Sequence, residues 1–258
     1  MIDYGFWAVA VLAVAIVGLS KSGLVGSMGM VGVPLLALVM DPRDATGMML
    51  PVLLSMDAVA IWIYRRDANW RVLAIMLPGA AVGTLIGWAI WSVVTDAQVL
   101  LAVGIITLLF MLDALLPIRK RVMEGASPSK PWGVFWGAIA GITSFISHTG
   151  GPPFQIYTLP MRMSPVVFSA TTAFFFAIVN TMKLVPFFFL GQLSVTNLET
   201  AAALIPIGLI AVFAGVWLVR RISAKRFYQL AYILIALLAV KLIYDGVMGV
   251  FFVPPAAV

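Results

Sequence analysis

Apolar residues dominate this chain in long runs separated by short polar turns, and the runs recur about ten times. Most runs are close to the roughly 20 residues that an α-helix needs to cross a bilayer. The first, second, sixth and seventh are short and contain many glycine, serine and proline residues. The pattern predicts an all-α polytopic membrane protein with two short pairs of broken or re-entrant helices. The predicted segments are 5–20, 22–40, 44–64, 71–94, 97–116, 132–147, 150–161, 165–190, 199–219 and 226–246.

A transmembrane β-barrel is the other architecture that satisfies all backbone groups in a bilayer, and the pattern excludes it. Barrel strands alternate polar and apolar residues over about ten positions. The run LAVGIITLLFMLDALL, residues 101–116, is instead apolar on every side. The spanning segments are therefore predicted to be helices.

One long polar connection, PIRKRVMEGASPSKP, divides the chain into halves of similar length. It predicts a first transmembrane repeat at 1–116, a cytoplasmic linker at 117–131 and a second transmembrane repeat at 132–258. Short matches between the halves support an internal duplication. These matches align Gly32-Val33-Pro34-Leu35 with Gly151-Pro152-Pro153-Phe154, Met40-Asp41-Pro42 with Met163-Ser164-Pro165, and the pair Pro78 and Gly87 with Pro206 and Gly215.

Basic residues between the runs predict the orientation of each half. The clusters are Arg65-Arg66 with Arg71, Arg119-Lys120-Arg121 with Lys130, and Arg220-Arg221 with Lys225 and Arg226. The positive-inside rule assigns all three clusters to the cytoplasm. The segment around Pro78 then runs outward and its partner around Pro206 runs inward. The halves are therefore predicted to be inverted repeats in the cell (inner) membrane, an arrangement typical of secondary transporters, with both termini outside the cytoplasm.

Composition removes several other classes of function. The net charge of +6 fits the positive-inside rule, and no aromatic and basic face accompanies it, so we expect no nucleic-acid partner. The chain has no cysteine, which excludes disulfides and thiolate chemistry. One histidine cannot form a metal cluster by itself, so neither a metal nor another cofactor is expected.

Two tips rich in backbone breakers are the strongest candidates for a binding site. They are GLSKSGLVGSMGMVGVP at residues 18–34 and GITSFISHTGGPP at residues 141–153. A helix broken within a membrane leaves N–H and C=O groups unpaired, and a ligand can satisfy them. The positive end of a following half-helix also favours an anion. The candidate substrate-binding residues are Ser20, Lys21, Ser22, Ser27 and Gly29 in the first tip, and Ser147, His148, Thr149, Gly150 and Gly151 in the second.

Each candidate also has a structural interpretation. The glycines can serve helix packing alone, and Lys21 can extend to a membrane edge. His148 can be a satisfied structural residue, although a histidine among hydroxyls can also donate to an anion or bind a proton with the substrate. Two broken tips at matching positions of inverted halves favour the binding interpretation.

Three further polar residues, Asp57, Asn180 and Lys183, lie within apolar runs and are candidates for coupling or gating. The alignment of Pro42 with Pro165 also aligns Asp57 with Asn180, which predicts equivalent depths for the two. Asn180 and Lys183 are three residues apart and share a helix face. Asp57 can equally form a structural pair with a lysine.

Taken together, these residues resemble the sulfite exporter TauE/SafE family, also called TSUP. The resemblance covers essentially the whole chain: two related halves, the glycine-rich tip ending in Val-Pro at Gly23–Pro34, SHTGGPP at Ser147–Pro153, and the basic central loop. It implies a transporter of sulfite, sulfonates, thiosulfate or similar anions, with some members handling other organic acids. We therefore expect a secondary transporter, more specifically an exporter, that works by alternating access around a midplane site.

Other functions remain open on the sequence alone. A carboxylate can replace the sulfur anion as substrate, and a channel or a structural membrane subunit can share this composition. An intramembrane enzyme that uses His148 as a base lacks a recognisable partner motif. The expected partners are a small anion and the lipid bilayer, and a homodimer is compatible with the sequence.

Overall fold

The computed structural model describes residues 4–21, 28–91, 93–115, 129–218 and 224–252, and all regular secondary structure within these ranges is helical. The all-α prediction is confirmed. Short 3-10 turns at Met28–Val31 and Leu159–Met161 adjoin the two shortest helices. The α-helices of the described residues are α1 Tyr4–Leu19, α2 Gly32–Leu36, α3 Pro42–Tyr64, α4 Trp70–Trp91, α5 Asp96–Leu115, α6 Lys130–Ser147, α7 Gly151–Thr158, α8 Pro165–Phe189, α9 Val195–Leu218 and α10 Ala224–Phe251.

Four of the described helices are long and apolar enough to cross a membrane, namely Pro42–Tyr64, Trp70–Trp91, Val166–Phe189 and Val195–Gly215. The helices Tyr4–Leu19 and Asp96–Leu109 are apolar but shorter. Large apolar side chains such as those of Leu85, Phe188 and Ile210 are exposed, as contact with lipid requires. The chain is therefore a membrane protein.

The two helices that begin at aligned prolines start in the same way. The Asp41 carboxylate accepts from the Arg43 N–H at 2.7 Å before α3, and the Ser164 hydroxyl accepts from the Val167 N–H at 3.4 Å before α8. Each cap is followed directly by a proline, which suits the first helical position because its missing N–H would have no partner there. Local chemistry thus fixes the start of both helices.

Two helix starts differ from the sequence prediction. Helix α9 begins at Val195 instead of residue 199, because the Ser194 hydroxyl accepts from the Asn197 N–H at 3.2 Å and caps a polar first turn. Helix α6 begins at Lys130, inside the predicted linker, because Ser129 caps it and a proline follows. Residues 117–128 of that linker lie outside the described part of the chain.

Helices α4 and α6 pack with their backbones in close contact. Each has a glycine at every fourth position, and most of these glycines face the backbone of the other helix. A Cβ atom on Gly83 would overlap the Ala138 carbonyl, and one on Gly137 would overlap the Met76 carbonyl. Small residues at this spacing let membrane helices approach closely. The glycines are Gly79, Gly83 and Gly87 in α4 and Gly133, Gly137 and Gly141 in α6.

The buried apolar side chains form three clusters. The first joins α1, α2, α3 and α9, and the second joins α4, α6, α7 and α8. The third lies at the junction of the halves and contains the buried side chains of Trp91, Phe145 and Phe187. The halves also contact each other directly, through α3 with α8 and α5 with α10. Each of the first two clusters thus contains helices from both halves.

Candidate functional site

A cavity of about 90 Å³ lies where the first and second tips meet. One water needs roughly 10–15 Å³ by the same measure, so the cavity has room for a small anion. Apolar residues supply much of its wall, including Val17, Leu53 and Phe176. The polar and charged residues that line it come from both halves, and they are Ser20, Lys21, Ser144, His148, Ser169, Thr172 and Asn180.

On the first-half side, Lys21 follows α1, where the helix loosens into a π turn at Ser20 and Lys21. Its ammonium forms an ion pair with Asp57 Oδ1, and its side chain is 16% exposed. Asp57 is 1% exposed and accepts from Asn180 Nδ2 at 2.6 Å through its other oxygen. Lys21 therefore lies at the cavity with its charge balanced by a buried carboxylate, and does not extend to a membrane edge.

On the second-half side, Lys183 is fully buried behind the cavity wall. Its Nζ donates to the Ser144 carbonyl at 3.0 Å and to Ser144 Oγ at 3.1 Å, and it lies 2.6 Å from His148 Nδ1. No carboxylate forms an ion pair with Lys183 among the described residues. The groups that contact Lys183 Nζ are therefore the Ser144 carbonyl, the Ser144 hydroxyl and the His148 ring.

The hydrogen-bond partners of His148 define how its ring is protonated. Nε2 lies 3.0 Å from the Thr46 carbonyl, which can only accept, so Nε2 carries a hydrogen. Nδ1 therefore accepts from Lys183 Nζ at 2.6 Å, and with Lys183 protonated the two side chains together have one positive charge. Both ring nitrogens are engaged with the protein, so neither is free to donate to an anion in this arrangement.

The backbone of His148 also has a special conformation. With φ of 55° and ψ of 24°, the residue is left-handed and ends α6. Histidine tolerates this region better than most residues, and a left-handed residue commonly terminates a helix. The turn lets α7 start again at Gly151, so that His148, Gly151 and Pro152 all line the cavity.

The remaining predicted site residues fall into three groups. Ser20, Gly29 and Gly151 line the cavity with Lys21, His148 and Asn180. Ser147 and Thr149 are buried outside the cavity lining, with their hydroxyls 2.7 Å apart, because both hydroxyls turn back toward the Thr143 carbonyl. Gly150 is also outside the lining, packed against the Ala140 carbonyl and the Phe176 ring. Ser22 and Ser27 lie outside the described residues.

Three polar residues that line the cavity are absent from the predicted set: Ser144, Ser169 and Thr172. Ser144 lies one helical turn before His148, and that spacing places both on one face of α6. Ser169 and Thr172 are three residues apart near the start of α8, so they share a face in the same way. Helical periodicity relates these positions to His148 and Asn180, but it does not show which of their hydroxyls can bind a ligand.

A family model described as Sulfite exporter TauE/SafE matches residues 10–242. The chain belongs to this family. No curated protein and no solved structure matches the chain. The TauE/SafE match includes both tips and every residue that lines the cavity.

Membership in the TauE/SafE family gives the broad function. The family consists of membrane transporters of sulfur anions and not of enzymes. Its members handle a small anion within a lipid bilayer, and the cavity offers hydroxyls and a lysine to such a substrate. Among the described residues, no three histidine or acidic side chains lie together as a metal site would require.

Proposed function

We propose that this TauE/SafE protein is a secondary transporter that exports a small sulfur-containing anion, such as sulfite, a sulfonate or thiosulfate. The anion binds in the cavity between the two tips, and the halves expose it alternately to the two sides of the membrane. Lys21, Ser144 and the backbone around Gly151 are the proposed contacts. His148 lines the cavity with both ring nitrogens bonded to the protein, and Lys183 acts from behind the cavity wall.

The observation that carries this proposal is the charge around the cavity. The charges of Lys21 and Asp57 cancel, whereas a protonated Lys183, bonded to His148, has no ion-pair partner among the described residues. An uncompensated charge in an apolar interior is strongly unfavourable. An anion in the cavity would compensate it, so the site favours a negatively charged ligand.

The contacts between helices support an inverted duplication. A duplication of this kind pairs each of the first five helices with the helix five places later, so that α1 corresponds to α6 and α4 to α9. The contact of α4 with α6 then corresponds to the contact of α9 with α1. In the same way, the contact of α3 with α9 corresponds to that of α8 with α4. Both of these pairs are in contact, and the pairs α3 with α8 and α5 with α10 map onto themselves. The first two apolar clusters exchange in the same way.

The hydrogen bond between Asp57 and Asn180 also supports a pseudo-two-fold axis. The two residues are equivalent in the sequence alignment, and equivalent residues of two repeats touch only where an axis passes between them. The bond joins α3 of the first half to α8 of the second, next to the cavity. Alternating access around a site on such an axis is the usual mechanism of inverted-repeat transporters. We assign Asp57 and Asn180 to coupling the two halves.

The negative charge of the proposed substrate favours export. An inside-negative potential favours outward movement of each negative charge by about 2.3 kcal/mol per 100 mV. A monoanion can therefore leave the cell by facilitated diffusion, whereas its uptake would need a co-transported cation. We propose that the protein lies in the cell inner membrane with both termini outside the cytoplasm.

Ligand-dependent thermal unfolding of the purified protein in detergent tests the proposed substrate class. Sulfite, thiosulfate, sulfoacetate, taurine and simple carboxylates would be compared at equal ionic strength. A ligand present at a hundredfold excess over its Kd stabilises the native state by about 2.7 kcal/mol. We expect a higher unfolding midpoint with at least one sulfur anion. A shift with carboxylates and with no sulfur anion would contradict the proposal.

A further inference from the structure

We infer that the hydroxyl of Ser144 is the hydrogen-bond donor that receives the anion, and that buried Lys183 directs this hydroxyl toward the cavity. Ser144 is thereby assigned as a ligand contact and Lys183 as a positioning residue. The inference rests on the proposed function insofar as the cavity must bind an anion. It holds for a sulfur anion or a carboxylate alike.

The ammonium of a protonated Lys183 has no N–H hydrogen left for a ligand. A lysine ammonium has three N–H donors, and Lys183 Nζ has three neighbours that can accept: the Ser144 carbonyl, Ser144 Oγ and His148 Nδ1. The side chain is fully buried and does not line the cavity. Its charge therefore reaches the cavity only through Ser144 and His148.

The hydrogen of the Ser144 hydroxyl is available to a ligand in the cavity. Hydroxyls within membrane helices commonly donate to the carbonyl one turn earlier, as Thr143 does to Ile139 at 2.9 Å. In the described part of the chain, the one hydrogen-bond partner of Ser144 Oγ is Lys183 Nζ, which is the donor. Because Ser144 accepts from a cation and lines the cavity, its hydrogen can be donated to a ligand there.

Lys183 also makes the Ser144 hydroxyl a stronger hydrogen-bond donor. A hydroxyl that accepts from an ammonium is polarised, so its own O–H becomes a better donor. A bond from this O–H to an anion is also charge-assisted. The Ser144 hydroxyl thus has an electrostatic preference for an anion, whereas Thr172 already donates to the Phe168 carbonyl at 2.8 Å and Ser20 to the Val17 carbonyl at 2.7 Å.

The experiment measures anion affinity by thermal-shift titration of the full-length protein in detergent, with sulfite as the first probe. Ser144→Ala is compared with Ser55→Ala, which removes the same atom from a serine whose hydroxyl donates to the Val52 carbonyl away from the cavity. We expect Ser144→Ala to weaken binding about ten- to a hundredfold, as for loss of a hydrogen bond to a charged group. Ser55→Ala should bind sulfite like the wild type.

Two further variants separate a ligand contact from a merely structural role. Ser144→Thr keeps the hydroxyl and should retain most of the affinity, and it serves as the fallback where Ser144→Ala does not fold. Lys183→Met should weaken binding, whereas Lys241→Met, at an exposed ion pair with Asp245, should not. Lys183 acts partly through Ser144, so the two substitutions should not be additive. The loss of affinity caused by Ser144→Ala should be smaller in the Lys183→Met variant than in the wild type.

The outcomes distinguish the inference from the proposed function. Equal sulfite affinity for Ser144→Ala and Ser55→Ala would overturn the inference and leave the transporter proposal standing. Binding of carboxylates in place of sulfur anions would overturn the sulfur specificity, and the same variants would then be titrated with a carboxylate. Binding of no anion by the wild type would overturn both.

Discussion

Single residues decide where the net charge of the cavity lies. Lys21 and Lys183 come from different halves of the chain, yet only Lys21 is paired with a carboxylate. The carboxylate of Asp57 also accepts from Asn180, so Lys21, Asp57 and Asn180 form one connected polar group between the halves. An anion that approaches Lys21 must compete with Asp57. We therefore expect Asp57 to affect both the stability of the protein and its affinity for the anion.

The ion pair of Lys21 and Asp57 can be tested by a double-mutant cycle. Lys21→Met leaves a carboxylate that is 1% exposed without its cation, and breaking a buried pair in this way costs up to about 3–5 kcal/mol. Lys21→Met combined with Asp57→Asn removes both charges and should recover much of this loss. Thermal unfolding in detergent measures the effect. A double variant as unstable as the sum of the two single variants would contradict the pairing.

Replacements of His148 separate the role of its ring from that of its backbone. His148→Asn removes the contact with Lys183 but tolerates a left-handed conformation, so it should mainly weaken anion binding. His148→Val places a β-branched residue at φ of 55° and should lose a further 1–2 kcal/mol or so of stability. Unfolding midpoints of the two variants provide the measurement. Equal midpoints would show that the backbone conformation is unimportant.

The sequence predicts part of this site and misses part for physical reasons. Aligning the halves identified Asp57 and Asn180 as equivalents, and the structure brings them into contact. Ser144 was missed because a serine in an apolar helix ordinarily bonds to its own backbone, and no pattern reveals that a lysine from another helix will displace that bond. Such contacts depend on tertiary packing.

At the scale of helices, the close packing of α4 and α6 holds the second tip in place. Helix α6 ends at the tip, and its glycines lie against α4 carbonyls, so a displacement of either helix would move Ser144 and His148. The contact of α1 with α9 joins the two halves in a similar way, and a Cβ on Gly18 would lie 2.8 Å from the Gly208 carbonyl there. Both tips are therefore carried by helices whose positions are fixed by small residues.

A larger side chain in this contact should separate the helices. Gly83→Val would push against the Ala138 carbonyl, which cannot rotate away, and should cost at least the 1–3 kcal/mol or so that is typical of overpacking. Ala74→Val adds the same kind of side chain to an exposed position of α4 and is the control. The yield of monodisperse protein and its unfolding midpoint report the outcome. Equal behaviour of the two variants would argue against tight packing at Gly83.

Helices were the most predictable feature because apolar length identifies them directly. The caps at Asp41 and Ser164 also follow from local sequence, since each precedes a proline. The start of α9 was misplaced because its first turn is polar and resembles a loop. The glycine spacing in α4 and α6 was visible in the sequence, but which two helices it would join depends on the fold.

At the scale of the whole molecule, the protein joins two sets of helices around one charged cavity. Both halves line the cavity, and both contribute a lysine next to it. A rocking motion of one half against the other would open the cavity to either side without rebuilding the site. The bond between Asp57 and Asn180 lies on the surface across which such a motion would occur.

The most direct test of this account is counterflow of a labelled sulfur anion in proteoliposomes that contain the purified protein. Vesicles preloaded with unlabelled sulfite or sulfoacetate are diluted into a trace of the labelled anion, with empty liposomes as the control. A carrier that binds one anion in a cavity with alternating access should accumulate label transiently above its equilibrium level, and Lys183→Met should abolish this overshoot. Equilibration without an overshoot in the wild type, or no entry of any sulfur anion, would contradict the account.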